Sequence, residues 1–181
     1  MVSVTFKGGD KLKAELGKIL RKAKNARSVD IGFMGGSTEA DGTSIPMIAA
    51  IQEYGAASRG IPPRPFFRNM IEANKDKWAP ILAGAMKASG NDAEQSLGIL
   101  GQEVQEELQD SIRNTNAPPL SPVTVMLRGM RANKPGLEIT AATVGEAAAR
   151  VKAGKTNYGA STKPLIDTGT LLRSVTHKVN K

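Results

Sequence analysis

Three prolines close together give this chain its strongest local constraint. Residues 61–68 read Ile-Pro-Pro-Arg-Pro-Phe-Phe-Arg. The proline after Arg64 disfavours the helical region for that arginine and holds it extended, whereas Pro65 suits the first position of a helix. At least one of Phe66 and Phe67 must then be buried. The segment predicts an extended loop that turns into a long helix with an aromatic anchor.

This turn has two interpretations. The simpler one is an ordinary helix start with a hydrophobic anchor. The alternative is a docking corner, in which two arginines flank a contact surface, and Arg64 on its loop has little to hold internally. The position just after Glu53-Tyr54-Gly55 favours the docking corner. The candidate interface residues here are Glu53, Tyr54, Arg64, Pro65, Phe66 and Arg68.

A second short motif, Asp167-Thr168-Gly169, copies the loop of aspartic proteases, which pair two such carboxylates. Only twelve residues follow Gly169, too few for the flap and sheet that would shape a cleft. A capped turn is therefore favoured, with Asp167 or Thr168 as the cap before Leu171-Leu172. All three motif residues are kept as candidate contact residues.

Alternating apolar and polar residues predict three short strands, at residues 2–6, 29–33 and 174–179. Long helical patterns separate them. Strands and helices arranged in this way indicate an α+β fold class, with a small antiparallel sheet packed against two or three helices and an extended loop insertion. We expect a single domain over residues 1–181, and an extended or mobile insertion within it at 116–163.

Helical spacing of apolar residues predicts the remaining elements. A helix begins near Asp10, a short helix is opened by Pro46, and a long helix follows Pro65. Pro80 lies inside the long helix and predicts a kink or a break just before it. The other predicted helical segments are residues 93–112, 123–130 and 143–152.

Charge is distributed in blocks along the chain, whose net charge is +8. Residues 1–30 contain eight basic and three acidic residues, whereas residues 91–112 contain six acidic residues and no basic one. Such blocks suggest contact with nucleic acid or with an oppositely charged surface on another copy.

An acidic stripe lies on the predicted helix at 93–112. Its members, spaced as on one helix face, are Glu103, Glu106, Glu107 and Asp110. Charge runs are usually solvated faces. The alternative is a head-to-tail ring in which the stripe meets the basic helix of a neighbouring copy. The basic residues of that candidate contact are Lys18, Arg21 and Lys22.

Composition excludes several functional classes. The chain has no cysteine and one histidine, which removes thiolate sites and multi-histidine metal sites. Only 4% of residues are aromatic, which supplies little stacking surface for single-stranded nucleic acid. No signal peptide or apolar run of membrane-spanning length is found. We expect no enzymatic activity, no cofactor, no membrane contact and synthesis in a cytoplasm.

Residues 149–156 loosely match a nucleotide-binding phosphate loop, with alanine in place of the first glycine. A phosphate loop follows a hydrophobic strand and opens a helix. Here an alanine-rich helical pattern precedes the match and a turn pattern follows it. Nucleotide hydrolysis is therefore not favoured.

Four short motifs, in this order, resemble a known family. They are the Glu-Tyr-Gly turn at 53–55, the proline-rich turn at 61–68, Pro-Leu-Ser-Pro-Val-Thr at 119–124, and the block at 163–174. Together they resemble the morphogenesis proteins that complete the tail or join head to tail in long-tailed bacteriophages. The resemblance covers roughly residues 45–72 and 118–179. Residues 134–162 depart from the shorter spacing that the family suggests.

The resemblance implies a structural virion protein without catalysis. Such a protein assembles at the head-proximal end of the tail, in the neck region, as a homo-oligomer for which a six-fold ring is favoured. Its partners would be a tail terminator, tail tube or neck connector protein. The alternative is a basic nucleic-acid-binding protein that contacts phage DNA without sequence specificity.

Overall fold

The structure is a computed structural model, and it describes residues 9–155 and 159–181. The strand predicted at residues 2–6 lies outside the described residues. The chain forms two compact units. Unit 1 comprises the residues up to Gly32, Ile71–Glu107 and Thr176–Lys181, and unit 2 comprises Phe33–Met70 and Leu108–Val175. The single domain over 1–181 stays a prediction.

The described residues form seven α-helices and one two-stranded antiparallel sheet, which confirms the α+β class. None of these helices has the length and hydropathy needed to cross a membrane. In chain order the elements are α1 (Gly9–Ala23), β1 (Ser28–Phe33), α2 (Ile45–Tyr54), α3 (Phe66–Ala88), α4 (Ala93–Asn114), α5 (Pro122–Asn133), α6 (Ala141–Lys152), α7 (Thr170–Arg173) and β2 (Val175–Asn180).

The sheet of unit 1 brings two distant parts of the chain together. The Asn180 amide at the end of β2 donates to the Ser28 hydroxyl at the start of β1, over 3.1 Å, as an antiparallel pair requires. On α4, a Cβ added at Gly101 would lie 2.7 Å from the ring of His177 and 2.8 Å from Val29. Glycine at 101 therefore allows α4 to approach both strands closely.

The start of α4 is capped from two directions. The Asp92 carboxylate accepts from the Gln95 backbone N–H at 3.0 Å and from the Asn25 amide at 3.1 Å. The Asn25 side chain in turn accepts from the backbone N–H of Glu94. These bonds satisfy donors that a helix start leaves open. They also fix the link between α1 and β1 to the start of α4.

Helix α3 begins one residue later than predicted, because Phe66 N–H donates to the Arg64 carbonyl over 2.8 Å in a tight turn. Pro65 therefore directly precedes the helix. The helix continues through Pro80 without a break before it. In unit 1, the Trp78 indole of this helix donates to the Glu107 carboxylate of α4 at 2.8 Å.

Two helices occupy much of the range predicted as an extended or mobile insertion, 116–163. Helices α5 and α6 confirm the helical segments predicted at 123–130 and 143–152. They pack through a small cluster of Met126, Met130 and Ala147. The Ser121 hydroxyl accepts from Thr124 N–H, and Thr140 forms a capping box, so each helix has a defined start.

Candidate docking surfaces

Glu53 joins the end of α2 to the start of α3 within unit 2. Its carboxylate is buried and accepts from the backbone N–H groups of Phe67 at 2.8 Å and Arg68 at 3.2 Å. Its other close partner is the Arg68 guanidinium, at 2.8 Å. A negative charge at a helix N-terminus satisfies open donors and matches the helix dipole. Glu53 is thus a cap for α3 supplied by another helix.

Arg64 is in the interior, with only 3% of its surface exposed. Its Nε donates to the Pro118 carbonyl at 2.9 Å and its Nη1 to the Gln52 side chain at 3.0 Å. Burial lowers the pKa of its guanidinium. The expectation that Arg64 has little to hold internally is wrong, because carbonyls from a distant segment satisfy the charge. Arg64 fixes that segment to the corner.

Gly55 makes the turn between Glu53 and the prolines possible. Its φ is +78° and its ψ is 175°, a combination available only to glycine. A Cβ there would also lie 2.8 Å from the Pro63 nitrogen and 2.9 Å from the Ile61 carbonyl. Both the backbone angles and the close approach therefore require glycine.

Phe66 is the aromatic anchor that the sequence predicts. It is fully enclosed, and its ring meets Phe33 edge-on at a centroid distance of 6.1 Å. The Ser111 hydroxyl donates to the Phe66 carbonyl at 2.7 Å, which ties α4 to the start of α3 within unit 2. Phe67 is only partly buried.

The corner therefore presents fewer residues to solvent than the sequence suggests. Tyr54 is 69% exposed, and the Arg68 guanidinium lies 5.2 Å from the centre of its ring. This distance allows a cation–π attraction between the two side chains. Of the predicted corner residues, Glu53, Arg64 and Phe66 hold the corner from within, Pro65 is half-buried, and Tyr54 and Arg68 are the exposed pair.

Asp167 is an ion-pair partner, not a helix cap. Its carboxylate pairs with Arg131 and lies 3.6 Å from the Nε of Arg128. The Thr168 hydroxyl accepts from Thr170 N–H at 3.2 Å, but Thr168 lies one residue before the N-cap, which is Gly169, so neither predicted residue is the cap of the turn. Gly169, at φ +79°, is the residue from which the short helix α7 begins.

Arg128 organises the loop before α7. Its guanidinium is largely buried and donates to backbone carbonyls of Lys163 at 2.7 Å, Pro164 at 3.0 Å and Ile166 at 3.2 Å. Burial lowers its pKa, while the Asp167 carboxylate acts in the opposite direction. No spacing in the sequence distinguishes this arginine from others on a helix, so sequence reasoning misses it.

A cavity of about 1050 Å³, here called the loop cavity, lies in unit 2 beside α5. Its apolar lining includes Ile48, Leu137, Ile139, Leu165 and Leu171. Its charged lining consists of Glu39, Asp41, Glu138, Asp167, Arg128 and Arg131. Four carboxylates against two guanidinium groups give the cavity an excess of negative charge. The Thr168 hydroxyl donates to Glu39 at 3.1 Å, so the motif at 167–169 forms part of this lining.

The acidic stripe on α4 is only partly open. Glu107 accepts from Trp78, and Asp110 pairs with Arg113 one turn along the same helix. Glu103 and Glu106 are exposed. The structure thus leaves two carboxylates of the stripe without an ion pair among the described residues, although Gln102 bonds weakly to Glu106 at 3.4 Å.

Helix α1 carries the predicted basic residues, and Lys18, Arg21 and Lys22 are all exposed. Lys18 pairs with Glu15, itself exposed. More unexpectedly, the apolar side of α1 is also in solvent. Its exposed large apolar residues, each between 43% and 62% exposed, are Leu12, Leu16, Ile19 and Leu20.

The motifs that suggested catalysis lack their usual setting. Residues 149–152 of the phosphate-loop match are the end of α6, with no strand before them, and Thr156 lies outside the described residues. Within residues 9–155 and 159–181, no group of three His, Asp or Glu side chains is placed to hold a metal ion. Comparisons with family models, curated proteins and solved structures found no match to this chain.

Proposed function

We propose that this chain is a structural virion protein that completes the tail of a long-tailed bacteriophage, or joins it to the head or neck, as one subunit of a closed ring. The observation that carries the proposal is the exposed apolar face of α1. Monomeric proteins rarely leave such a patch in water, and patches of this kind mark sites of association.

The four motifs behind the phage resemblance also support the proposal. All four lie in unit 2. Arg64 links the proline-rich turn to Pro118 and Pro119, and Arg128 links α5 to the block at 163–174. Motifs that are separate in sequence are therefore joined by side-chain hydrogen bonds, and a docking surface needs such support.

The finer features of the fold belong to the same proposal. The β1–β2 sheet would be covered by two or three helices, with α4 as the closest because Gly101 lies against both strands. Residues 116–163 would be an insertion into the domain formed by this sheet and its helices. The ring number of six, and a tail terminator, tail tube or neck connector protein as the partner in the virion, are further parts of the proposal.

The mass of the purified protein tests the assembly. Sedimentation velocity is expected to show a discrete oligomer, and electron microscopy a ring. Replacing Leu16→Glu is expected to give a folded monomer, because Leu16 is exposed in the single chain. Val144→Glu, at another exposed apolar position, is the matched control and is expected to assemble. A wild-type protein that stays monomeric, alone and with virion lysate, contradicts the proposal.

Gold-labelled protein tests the location. Added to phage tails separated from their heads, it is expected to bind at the head-proximal end. Uniform binding along the tube, or no binding, contradicts a role in tail completion.

DNA contact is the second candidate, and the five basic residues of α1 support it. Binding through phosphates weakens steeply with salt and ignores sequence. Fluorescence anisotropy with two unrelated duplexes over a salt series separates the two functions. A ring protein that does not use DNA is expected to show no binding at physiological salt.

A further inference from the structure

Within residues 9–155 and 159–181, almost nothing packs against helix α1. All residues from Asp10 to Lys22 are exposed except Gly17, which is half-buried. A helix of 15 residues without tertiary packing is marginal in water, since most helical stability in proteins comes from burying an amphipathic face. The apolar face of α1 therefore needs a partner.

We propose that the apolar face of α1 docks into the loop cavity of a second copy of this chain. The contact is head to tail, because α1 of each copy binds the next copy and the loop cavity of each copy binds α1 of the previous one. It rests on the proposed function, and it names the two surfaces that close the ring.

Charge complementarity supports this occupant. Helix α1 contains five basic and two acidic residues. At 3.6 residues per turn, Lys13 borders its apolar face on one side, and Glu15 and Lys22 border it on the other. The cavity has the opposite excess, because its lining carries four carboxylates against the two guanidinium groups of Arg128 and Arg131, and both of these already pair with Asp167.

Asp41 keeps its negative charge at neutral pH. Hydrogen bonds from the backbone and side chain of Thr43 hold the pKa of the Asp41 carboxyl below its ordinary value. The excess negative charge of the cavity therefore persists under physiological conditions.

Apolar complementarity points to the same pairing. The cavity presents Ile48, Leu137 and Ile139, and Ile139 is 50% exposed in the single chain. Apolar burial contributes about 25 cal/mol per Å², whereas an exposed ion pair contributes about 0–1 kcal/mol. The apolar groups would hold the contact, and the charges would orient it.

Other occupants fit less well. Two α1 helices packed on each other would bring two basic flanks together. The acidic stripe on α4 offers carboxylates, but the part of the chain that the structure describes has one exposed large apolar residue near it, Ile99, which is too little to cover the face of α1. An anionic membrane surface would suit a basic amphipathic helix, but it leaves the acidic cavity without a role.

Disulfide cross-linking tests the pairing directly, because the natural chain has no cysteine. Copies with Leu16→Cys are mixed with copies carrying Ile139→Cys and oxidised. We expect a covalent dimer from the mixture and little from either variant alone. A chain with both substitutions is expected to give a ladder of covalent oligomers, as a head-to-tail contact requires.

Matched variants distinguish the rival surfaces. Ile99→Cys replaces Ile139→Cys in a second mixture, and equal or stronger cross-linking there overturns the proposal in favour of α4. A dominant dimer from Leu16→Cys alone overturns it in favour of paired α1 helices. If the wild type forms a ring but Leu16→Cys cross-links to neither isoleucine position, the inference is wrong while the proposed function stands.

An affinity measurement gives a second readout. Ile139→Ser is expected to weaken self-association at least tenfold, while Ile99→Ser leaves it within about twofold. Both variants are expected to melt like the wild type, since both positions are exposed. Equal effects from the two variants overturn the proposal. So does a wild type that is monomeric yet sediments with anionic phosphatidylserine vesicles through α1.

Discussion

At the scale of single residues, two buried guanidinium groups hold unit 2 together. Arg64 and Arg128 each donate to carbonyls of segments far along the chain. A buried charge is costly unless its donors are satisfied, so each arginine selects one arrangement of the loop around it. The corner and the loop cavity are thus built on backbone carbonyls that converge on side-chain cations.

Arg64→Ala is expected to lower the free energy of unfolding by about 2–3 kcal/mol, since it removes charged hydrogen bonds to Pro118 and Gln52 together with a buried side chain. Chemical denaturation measures the change. Arg59→Ala, at an exposed position nearby, is the control and should stay within about 0.5 kcal/mol of the wild type. A cost for Arg64→Ala no larger than that of the control would show that the corner does not depend on it.

Gly55→Ala is expected to cost more than Gly60→Ala, although both glycines have positive φ. At Gly55 a Cβ meets the Pro63 nitrogen at 2.8 Å, whereas at Gly60 nothing lies within 4 Å. Strained backbone alone costs about 1–3 kcal/mol, and the clash at Gly55 adds to it. Thermal melting of the two variants is the measurement, and equal destabilisation would contradict the close approach.

At the scale of elements, helix starts are fixed by side chains of differing origin. Helices α5 and α6 are capped locally by Ser121 and Thr140. Helix α3 is capped by Glu53 from α2. Local caps let a helix form with its neighbours in sequence, whereas the α3 cap exists only once α2 and α3 have met.

The α5–α6 pair depends on a small residue at its contact. Ala147 is fully buried against Met126 and Met130, so Ala147→Leu is expected to overpack the contact and cost about 1–3 kcal/mol. Ala148→Leu, one residue along and exposed, is the control and should be nearly neutral. Hydrogen exchange in the two helices reports the effect. Unchanged protection in Ala147→Leu would argue against this packing.

The cap of α4 predicts a dependence on pH. Hydrogen bonds, first from Gln95 N–H and then from Asn25, hold the pKa of Asp92 below its ordinary value of 3.8. The stability from the ionised carboxylate is therefore present above that value and lost as pH falls through the lower, folded pKa.

Asp92→Asn keeps an oxygen that caps the helix but cannot titrate. Its melting temperature should be close to that of the wild type at neutral pH and should fall less steeply with acid below about pH 4. Asp76→Asn, at an exposed position of α3, is the control. Parallel acid curves for Asp92→Asn and the wild type would contradict the assigned role.

At the scale of the whole molecule, the chain separates its stable units from its contact surfaces. Buried arginines and caps stabilise unit 2, while α1 exposes its apolar face, which in the proposed ring meets a partner. In the proposed assembly, the basic residues of α1 would keep the surface of the free protomer charged and so oppose non-specific association.

Salt is expected to slow assembly more than it weakens the finished oligomer. Charges steer association and are screened within about 3 Å at 1 M salt, whereas apolar burial is not screened. Light scattering over a salt series, started from diluted monomer, measures both the rate and the final mass. Complete dissociation at about 0.3 M salt would show that ion pairs hold the oligomer.

Sequence periodicity predicts most elements here because their causes are local. The apolar spacing in α1, the alternation in β1 and β2, and Phe66 as an anchor all follow from side-chain patterns within a few residues. The predicted N-terminus of the long helix lies within one residue of the observed one for the same reason, because Pro65 restricts its own backbone and that of Arg64.

The sequence by itself determined the α+β class, the order of the elements from α1 to α6, the final strand β2 and the constrained turn at 61–68, whereas the short helix α7 was expected only as a turn. Only the tertiary structure decided which polar residues are structural and which face solvent. The sequence predicts Arg64 to be an exposed loop cation, because its acceptor at Pro118 is 54 positions away. Arg128 likewise donates to the Pro164 carbonyl, 36 positions away. Local spacing has no signal for such partners, because the fold brings distant carbonyls to a buried charge.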